Sequence, residues 1–410
     1  MRSSQEILKK LERVERQYLL QYNSSKNWIA VSYYSGWRHA LEWVSKRGDQ
    51  VIVDEVVGTG RCSGCAACVA ICPTNVFDYV EDKPVNTRLN HCIDCDLCVE
   101  SCPELHLSDM DVEIKSLDSY ATFEDDFGRY GSLLLTRSTD EKILKKSQDG
   151  GTVSSLLVHC LESGIIDAAV VSTTSPERPL YPVAKLVFNS KEVLECAGSR
   201  YTYAPNLLAL REAYERGVEK IAVVGVPCQI DGLRYLQHST PDLEVAKWYE
   251  KHVVLSIGLF CSEVFTYNGL MKYLEEVCIN PEDVEKINIK GKVIISLKNG
   301  DEVVKPLKQL HKYERPACRF CKDYSAELAD ISCGGLATKG WTLTVIRTRT
   351  GLSIVENAVN AGILESKKIE LNSEPMNLLR KLCKQKRKRQ PPPLKTFFNL
   401  ENFLSQVMFK

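Results

Sequence analysis

From about residue 140 to 365, short apolar runs alternate with segments of helical period. Ile166–Thr173, Ile221–Val226, His252–Phe260 and Trp341–Arg347 are compact and rich in β-branched residues, and they read as buried strands. Between and after them, Thr152–Ser163, Asn206–Arg216 and a segment through Val355 and Val359 read as helices. This alternation predicts an α/β architecture built on a mixed, largely parallel sheet. Lys292–Leu297 and Val303–Leu307 flank Asn299-Gly300, a hairpin signal that adds an antiparallel element. At the N-terminus, Ile7, Leu8, Leu11, Val14, Tyr18 and Leu19 recur at helical spacing. Trp28, Trp37 and Trp43 suggest that this arm packs on something, either its own chain or another subunit.

A chain of 410 residues holds two or three domains at the usual ~100–200 residues each. The charge pattern places the boundaries. Residues 1–50 carry nine Arg/Lys against five Asp/Glu, whereas residues 51–110 carry three against ten. We read a helical extension at 1–50, a small α+β domain at 51–110, the α/β domain at 111–370 and a tail at 371–410. Lys384–Arg389 reads KQKRKR before Pro391–Pro393, which suggests a solvated end more than a partner-docking patch. Over the whole chain 53 Lys+Arg balance 53 Asp+Glu, which argues against nucleic acid or an anionic membrane as partner. No run of about 18 apolar residues is present, so no membrane insertion is expected. Charges interrupt the apolar positions of the N-terminus, so no signal peptide is read and the expected location is cytoplasmic.

Seventeen cysteines in a long chain without a secretion signal point to metal or redox chemistry rather than a disulfide framework. Cys62-x2-Cys65-x2-Cys68-x3-Cys72-Pro73 is repeated as Cys92-x2-Cys95-x2-Cys98-x3-Cys102-Pro103. This is the two-cluster bacterial ferredoxin pattern, in which the fourth cysteine of each motif ligates the other cluster. Cys62, Cys65, Cys68 and Cys102 are thus assigned to one 4Fe–4S cluster, and Cys92, Cys95, Cys98 and Cys72 to the second. Ser63, Gly64, Ala66 and Ala67 leave room around the first. Asp94 and Asp96 flank Cys95, and their charge should lower the second cluster's potential. A zinc site is the weaker alternative, since paired knuckles lack the x2-x2-x3-Pro series.

Of the remaining nine cysteines, Cys228 and Cys261 follow strands, at the ends where open α/β sheets place their sites. Cys318 and Cys321 form a CxxC. These four could supply a third cluster, or the strand-end pair could be small buried residues. Cys333, in ISCGG, is a rival for one ligand place. Ser147-Gln148-Asp149-Gly150-Gly151-Thr152 opens a helix, so its backbone N–H groups could approach a phosphate or simply form a turn. Asp330–Gly335 is a second polar, glycine-rich stretch, with Arg347 and Arg349 beyond it as possible phosphate partners.

The blocks SQDGGTVSSLL, VPCQIDGLR, IGLFCSEVF, RPACRFCKDYSAELADIS and VIRTRTG occur in this order. From about 140 to 365 the chain resembles the beta subunit family of coenzyme F420 hydrogenases and dehydrogenases. The double cysteine motif resembles the ferredoxin module of longer members. The resemblance implies non-covalent FAD, coenzyme F420 as substrate, and a third 4Fe–4S cluster on Cys228, Cys261, Cys318 and Cys321. It also implies that Ser147, Gln148, Asp149, Gly150, Gly151 and Thr152 contact the flavin. By their chemistry Arg200, which could pair a phosphate or carboxylate, and Tyr201 and Tyr203, which could stack on a ring, are candidate flavin or deazaflavin contacts or else a structural loop with exposed aromatics, and Gln229, Arg234 and Arg347 are further candidates. No catalytic acid, base or nucleophile is assigned. The implied enzyme is a flavin- and iron–sulfur-dependent oxidoreductase subunit in a larger complex. It would exchange a hydride between coenzyme F420 and FAD, then single electrons with a formate dehydrogenase, a hydrogenase or a membrane electron-transport complex. A tetrapyrrole reductase of the same fold is the alternative, although such relatives lack two complete ferredoxin motifs. An electron-relay adaptor without flavin is the non-catalytic alternative.

Overall fold

The computed structural model describes residues 47–105, 121–238 and 244–390. The expected helical arm with its tryptophans, and Pro391–Pro393, lie outside the described residues. Two short strands, β1 (Asp78–Val80) and β2 (Lys83–Val85), pair within the cysteine-rich unit. The large sheet contains β3 (Ser132–Ser138), β4 (Ala168–Thr174), β5 (Pro182–Val187), β6 (Ile221–Gly225) and β7 (Val253–Leu259). A separate antiparallel sheet is formed by β8 (Val284–Ile289), β9 (Lys292–Leu297) and β10 (Glu302–Pro306). The large sheet is completed by β11 (Ile331–Gly334), β12 (Thr342–Ile346) and β13 (Leu364–Lys368), in the order β13-β3-β12-β11-β7-β6-β4-β5.

Parallel pairing is confined to β4, β6, β7 and β11. Their neighbours β5, β12, β3 and β13 pair antiparallel, so the sheet is less parallel than the alternation suggested. The reason lies in the connections. A parallel crossover needs a dozen or more residues, and the short link Gly335–Trp341 between β11 and β12 permits only an antiparallel return. Every residue of β6 and of β12 is buried, as expected for strands covered on both faces. β13 closes one edge with an exposed Glu365–Lys368, which discourages pairing with another chain.

The cysteine-rich unit is docked on one face of this sheet. Ala67, Ala70 and Ile71 of helix Ala67–Ile71 share a buried core with Leu207, Leu210 and Leu233. The Tyr249 hydroxyl donates to the Ala70 carbonyl at 2.8 Å, and Arg211 Nη1 donates to the Cys72 carbonyl at 2.9 Å. Helical structure runs from Gly48 to Val57, across the charge boundary near residue 50. Its Ile52 and Val56 pack on Cys62, Cys68, Cys72 and Cys102.

The basic tail is not a solvated end. Helix Glu374–Arg387 buries Met376, Leu379, Cys383 and Lys386, whose 3-4-3 spacing makes one helical stripe. Arg387 makes two bonds to the Glu327 carboxylate, at 2.7 and 2.8 Å. The flanking helix surface carries the remaining charges, so a dense run of Lys and Arg conceals an amphipathic helix.

Arg347 also departs from expectation. It is fully buried, and its guanidinium donates to Ser332 Oγ, Ser325 Oγ and the carbonyls of Phe127, Arg129 and Ser325. It braces the segments beside β11 and β12 and offers nothing to a cofactor. Arg347→Met would deprive the buried Ser325 carbonyl and the half-buried Arg129 carbonyl of their donor, at about 1–3 kcal/mol each, while Ser325 Oγ still reaches the Phe127 carbonyl. We expect a loss of about 2 kcal/mol or more, or roughly 4–8 °C in melting temperature. Thermal melting followed by circular dichroism checks this; an unchanged melting temperature refutes it.

Candidate redox centre

Both cysteine motifs coil with the same backbone rhythm. Gly64 and Ala66 in the first, and Asp94 and Asp96 in the second, all have positive φ. Successive N–H groups then turn inward, as in an anion-binding nest. Asp tolerates this conformation better than most residues, so Asp94 and Asp96 have a conformational role besides their charge. Gly64 is required for a different reason. A Cβ there would collide with Arg315 Nη2 and the Asp82 carbonyl.

The thiols fall into crossed sets. Cys62, Cys65, Cys68 and Cys102 line one cavity, and Cys72, Cys92, Cys95 and Cys98 line another. Among the described residues no three His, Cys, Asp or Glu side chains converge at single-ion spacing. The cavities therefore suit a multi-atom cluster better than one zinc ion. Burial pushes the Cys65 thiol up to about 12 and the Cys92 thiol up to about 11. Metal coordination would reverse that by holding the thiolates deprotonated.

The surroundings of the two sets differ, with Glu104 also lining the first and Arg47 paired to Asp49 at the second. The first is held by cationic and phenolic donors. Arg315 Nη1 donates to the Ser63 carbonyl at 2.8 Å, the Tyr79 hydroxyl to Gly64 O at 2.6 Å, and Lys83 Nζ to Cys62 O. The second is lined by Asp49 and Asp96, with Asp94 beside Cys92. It also reaches the surface, where Ile93 is 59% exposed.

A third set is assembled by strand-like pairing beyond β7. Phe265 N–H donates to Tyr201 O at 2.8 Å, and Arg315 N–H donates to Val264 O at 3.0 Å. The Cys261–Phe265 segment is thus held between Tyr201–Tyr203 and Tyr313–Arg315. Cys228, at the start of helix Pro227–His238, lies 3.6 Å from the Tyr203 hydroxyl. Val264 N–H approaches Cys318 Sγ at 3.5 Å. A thiolate at Cys261, Cys318 or Cys321 would push the Cys228 thiol up, which marks the proximity of the four. Burial pushes Cys261 up to about 12 and Cys321 up to about 11.

This set adjoins the first. The Arg315 guanidinium lies 3.9 Å over the Tyr203 ring. On helix Pro227–His238, a Cβ on Gly232 would come within 3.0 Å of Cys65 Sγ.

The glycine loop lies where the large sheet meets the β8–β10 sheet. β3 runs in the same direction as the parallel strands, so the loop after it and Gly335 after β11 share one sheet edge. A Cβ on Gly335 would overlap the Asp149 carboxylate. Lys286 Nζ donates to Ser147 O, and Lys290 Nζ pairs with Asp149 Oδ1, both at 2.6 Å. The Tyr201 hydroxyl accepts from Gln148 Nε2 at 3.1 Å and from Ile289 N–H at 3.0 Å. Burial raises Tyr201 to about 12 and lowers Arg200. Among the described residues Gln148 Oε1, Arg200 Nε and Asn288 Oδ1 are buried without a hydrogen-bond partner; Gln148 bonds the phenol and Asn288 precedes Ile289, whereas Arg200 Nη1 donates to the Cys196 and Gly198 carbonyls. A polar ligand with amide-like and anionic groups fits that donor and acceptor set.

Some expected contacts lie elsewhere. Gln229 Oε1 accepts from Val226 N–H, while its amide donates to Ala204 O, so it braces two loops. Arg234 is buried against Asp330, Ser256 and Leu328 O. Thr152 turns into the sheet, 2.7 Å from Thr136 Oγ1. Cys333 sits in the core of β11 near Thr344, apart from the third thiol set. Asn288, Lys286 and Lys290 had no sequence motif. Only their place on the first hairpin beside the glycine loop marks them.

Residues 133–211 match the family model for the coenzyme F420 hydrogenase/dehydrogenase beta subunit N-terminus, and residues 218–372 match its C-terminus. Residues 61–107 match a 4Fe-4S dicluster domain. The coenzyme F420 hydrogenase subunit beta of Methanothermobacter thermautotrophicus is 39% identical over 267 residues, 64% of this chain and 93% of that one. The coenzyme F420-dependent sulfite reductase of Methanocaldococcus jannaschii is 33% identical over 351 residues, 82% of this chain and 51% of that longer protein. A chain of the F420-reducing [NiFe] hydrogenase complex from Methanosarcina barkeri, solved as a xenon derivative, superposes with a TM-score of 0.62. It is 34% identical, and the match covers 70% of this chain and 97% of that one.

Because Cys333 is a core thiol, Cys333→Ala should leave the iron content unchanged while costing about 1 kcal/mol of stability. Iron analysis of the anaerobically purified variant checks this. A deficit of one cluster would make Cys333 a ligand.

Proposed function

The chain belongs to the coenzyme F420 hydrogenase/dehydrogenase beta subunit family, and we propose that it is the subunit where coenzyme F420 exchanges electrons with a partner oxidoreductase. The observation that carries this reading is a continuous series of sites. The polar cluster at Tyr201 adjoins the Cys228 set, which meets the Cys65 set through Tyr203, Arg315 and Gly232, and the Cys95 set beyond it opens to solvent. Among the described residues no helix is long and apolar enough to cross a membrane.

Cys62, Cys65, Cys68 and Cys102 hold one 4Fe–4S cluster, Cys72, Cys92, Cys95 and Cys98 the second, and Cys228, Cys261, Cys318 and Cys321 the third. FAD is held at the Ser147–Gly151 loop, with Gln148, Arg200, Tyr201 and Asn288 facing its polar groups. Bound there, a flavin links the two-electron chemistry of the deazaflavin to the one-electron chemistry of the clusters. The chain's own residues bind and orient. N–H groups at the start of helix Thr152–Glu162 and the Lys286 and Lys290 ammonium groups suit a phosphate. Asp149, fixed by Lys290 and pressed on Gly335, borders the polar cluster at Tyr201. Arg315 and Lys83 favour the reduced form of the first cluster, while Asp49, Asp94 and Asp96 disfavour that of the second. A partner docks at the exposed loop around Ile93.

The test is anaerobic. The purified protein is mixed with reduced coenzyme F420, FAD and methyl viologen as one-electron acceptor. FAD-dependent growth of the oxidised deazaflavin band is expected. No growth, in protein carrying full iron and flavin, overturns the proposal and favours a tetrapyrrole substrate.

The third ligand set has its own test. Cys228→Ala and Cys318→Ala should each lower iron by about one cluster's worth. Unchanged iron would make these residues plain buried thiols.

A further inference from the structure

We propose that Lys386, on the C-terminal helix, sets the redox potential of the cluster held by Cys228, Cys261, Cys318 and Cys321. The inference rests on the reading of those four thiols as ligands. It concerns a residue beyond the stretch matched by the family model, which ends at 372.

The helix stripe Met376, Leu379, Cys383, Lys386 is apolar at three positions and cationic at the fourth. A leucine there would continue the stripe. Lys386 is instead 3% exposed, and its ammonium donates to the Cys261 carbonyl at 2.8 Å and the Asp323 carbonyl at 2.6 Å. Both acceptors belong to the cysteine segments themselves. The neighbouring Arg387 is matched by the Glu327 carboxylate, whereas Lys386 donates to carbonyl oxygens. Arg389 Nη1 reaches the Cys318 carbonyl from the same turn. A buried positive charge in a low dielectric acts strongly on its neighbours. When the cluster accepts one electron it gains one negative charge, with no bond made or broken. Lys386 therefore favours the reduced form.

The test is a potentiometric titration of the full-length protein, followed by electron paramagnetic resonance. Lys386→Gln keeps N–H donors and drops the charge; Lys386→Arg keeps both. In K386Q one midpoint should fall by about 59 mV or more, a tenfold change in a one-electron equilibrium. The other two should hold, and K386R should stay near wild type. Unmoved midpoints in K386Q with full iron overturn the proposal. So does loss of one cluster's iron in both variants, which would make Lys386 a structural strap. Wild-type iron of only two clusters would instead overturn the ligand reading beneath it.

Discussion

One buried guanidinium joins the parts of this molecule. Arg315 is 3% exposed. It bonds the Ser63 carbonyl in the first cysteine loop, lies over the Tyr203 ring, and pairs with Asp82 at 3.6 Å. Its own backbone N–H pairs with Val264, next to the Cys261 segment, and Cys318 follows three residues later. Arginine suits this position because its planar fork can donate in several directions while its face stacks on an aromatic ring. Gly64 in the first motif is the counterpart, since any side chain would occupy the space the guanidinium needs. The second motif carries Asp94 at the matching place, 4.0 Å from Arg47 Nε.

This arrangement concentrates ionisable groups in dry surroundings. Nearly all of the cluster-type thiols are pushed above their ordinary range by burial. Thiolates crowded there without metal would repel one another, so the chain alone prefers them protonated. Loading iron therefore releases protons and adds binding free energy to folding. The same crowding explains why cations approach the cysteine loops through their carbonyls. Lys83, Arg315, Lys386 and Arg389 each donate to a carbonyl of a cysteine or its close neighbour.

Much of this was legible in the sequence where a short spacing carries the chemistry. The double x2-x2-x3-Pro series foretold the crossed cavities, because a tight loop determines where its thiols point. The central strands were legible because covered strands are continuously apolar. Arg347 and Gln229 misled because a polar residue near a motif looks available, while only the fold reveals that its donors are engaged elsewhere. The KQKRKR run misled for a related reason. Charge density hides an amphipathic stripe when the helix is narrow and one of its buried positions is itself a lysine. The excess of antiparallel pairing depended on loop lengths, which apolar periodicity does not report.

The step that sequence reading could not supply is how close the polar cluster at Tyr201 lies to the third thiol set. Tyr201 is bonded to Gln148 at the glycine loop, and Tyr203 approaches Cys228. Two residues of chain span at most about 7 Å. A ligand at the first phenol and a cluster at the second are thus tied to one short piece of backbone. That piece is held by the Thr202–Phe265 bridge, which is in turn paired to Glu314 beside Arg315. The same bridge positions Cys261 and the CxxC. Small shifts of this ribbon would move the polar cluster, the third set and the Arg315 clamp together. Such coupling favours a rigid ribbon, which is what burial of Phe265, Tyr203 and Arg315 provides. Flexibility for partner exchange is better placed at the far end, where the second motif meets solvent.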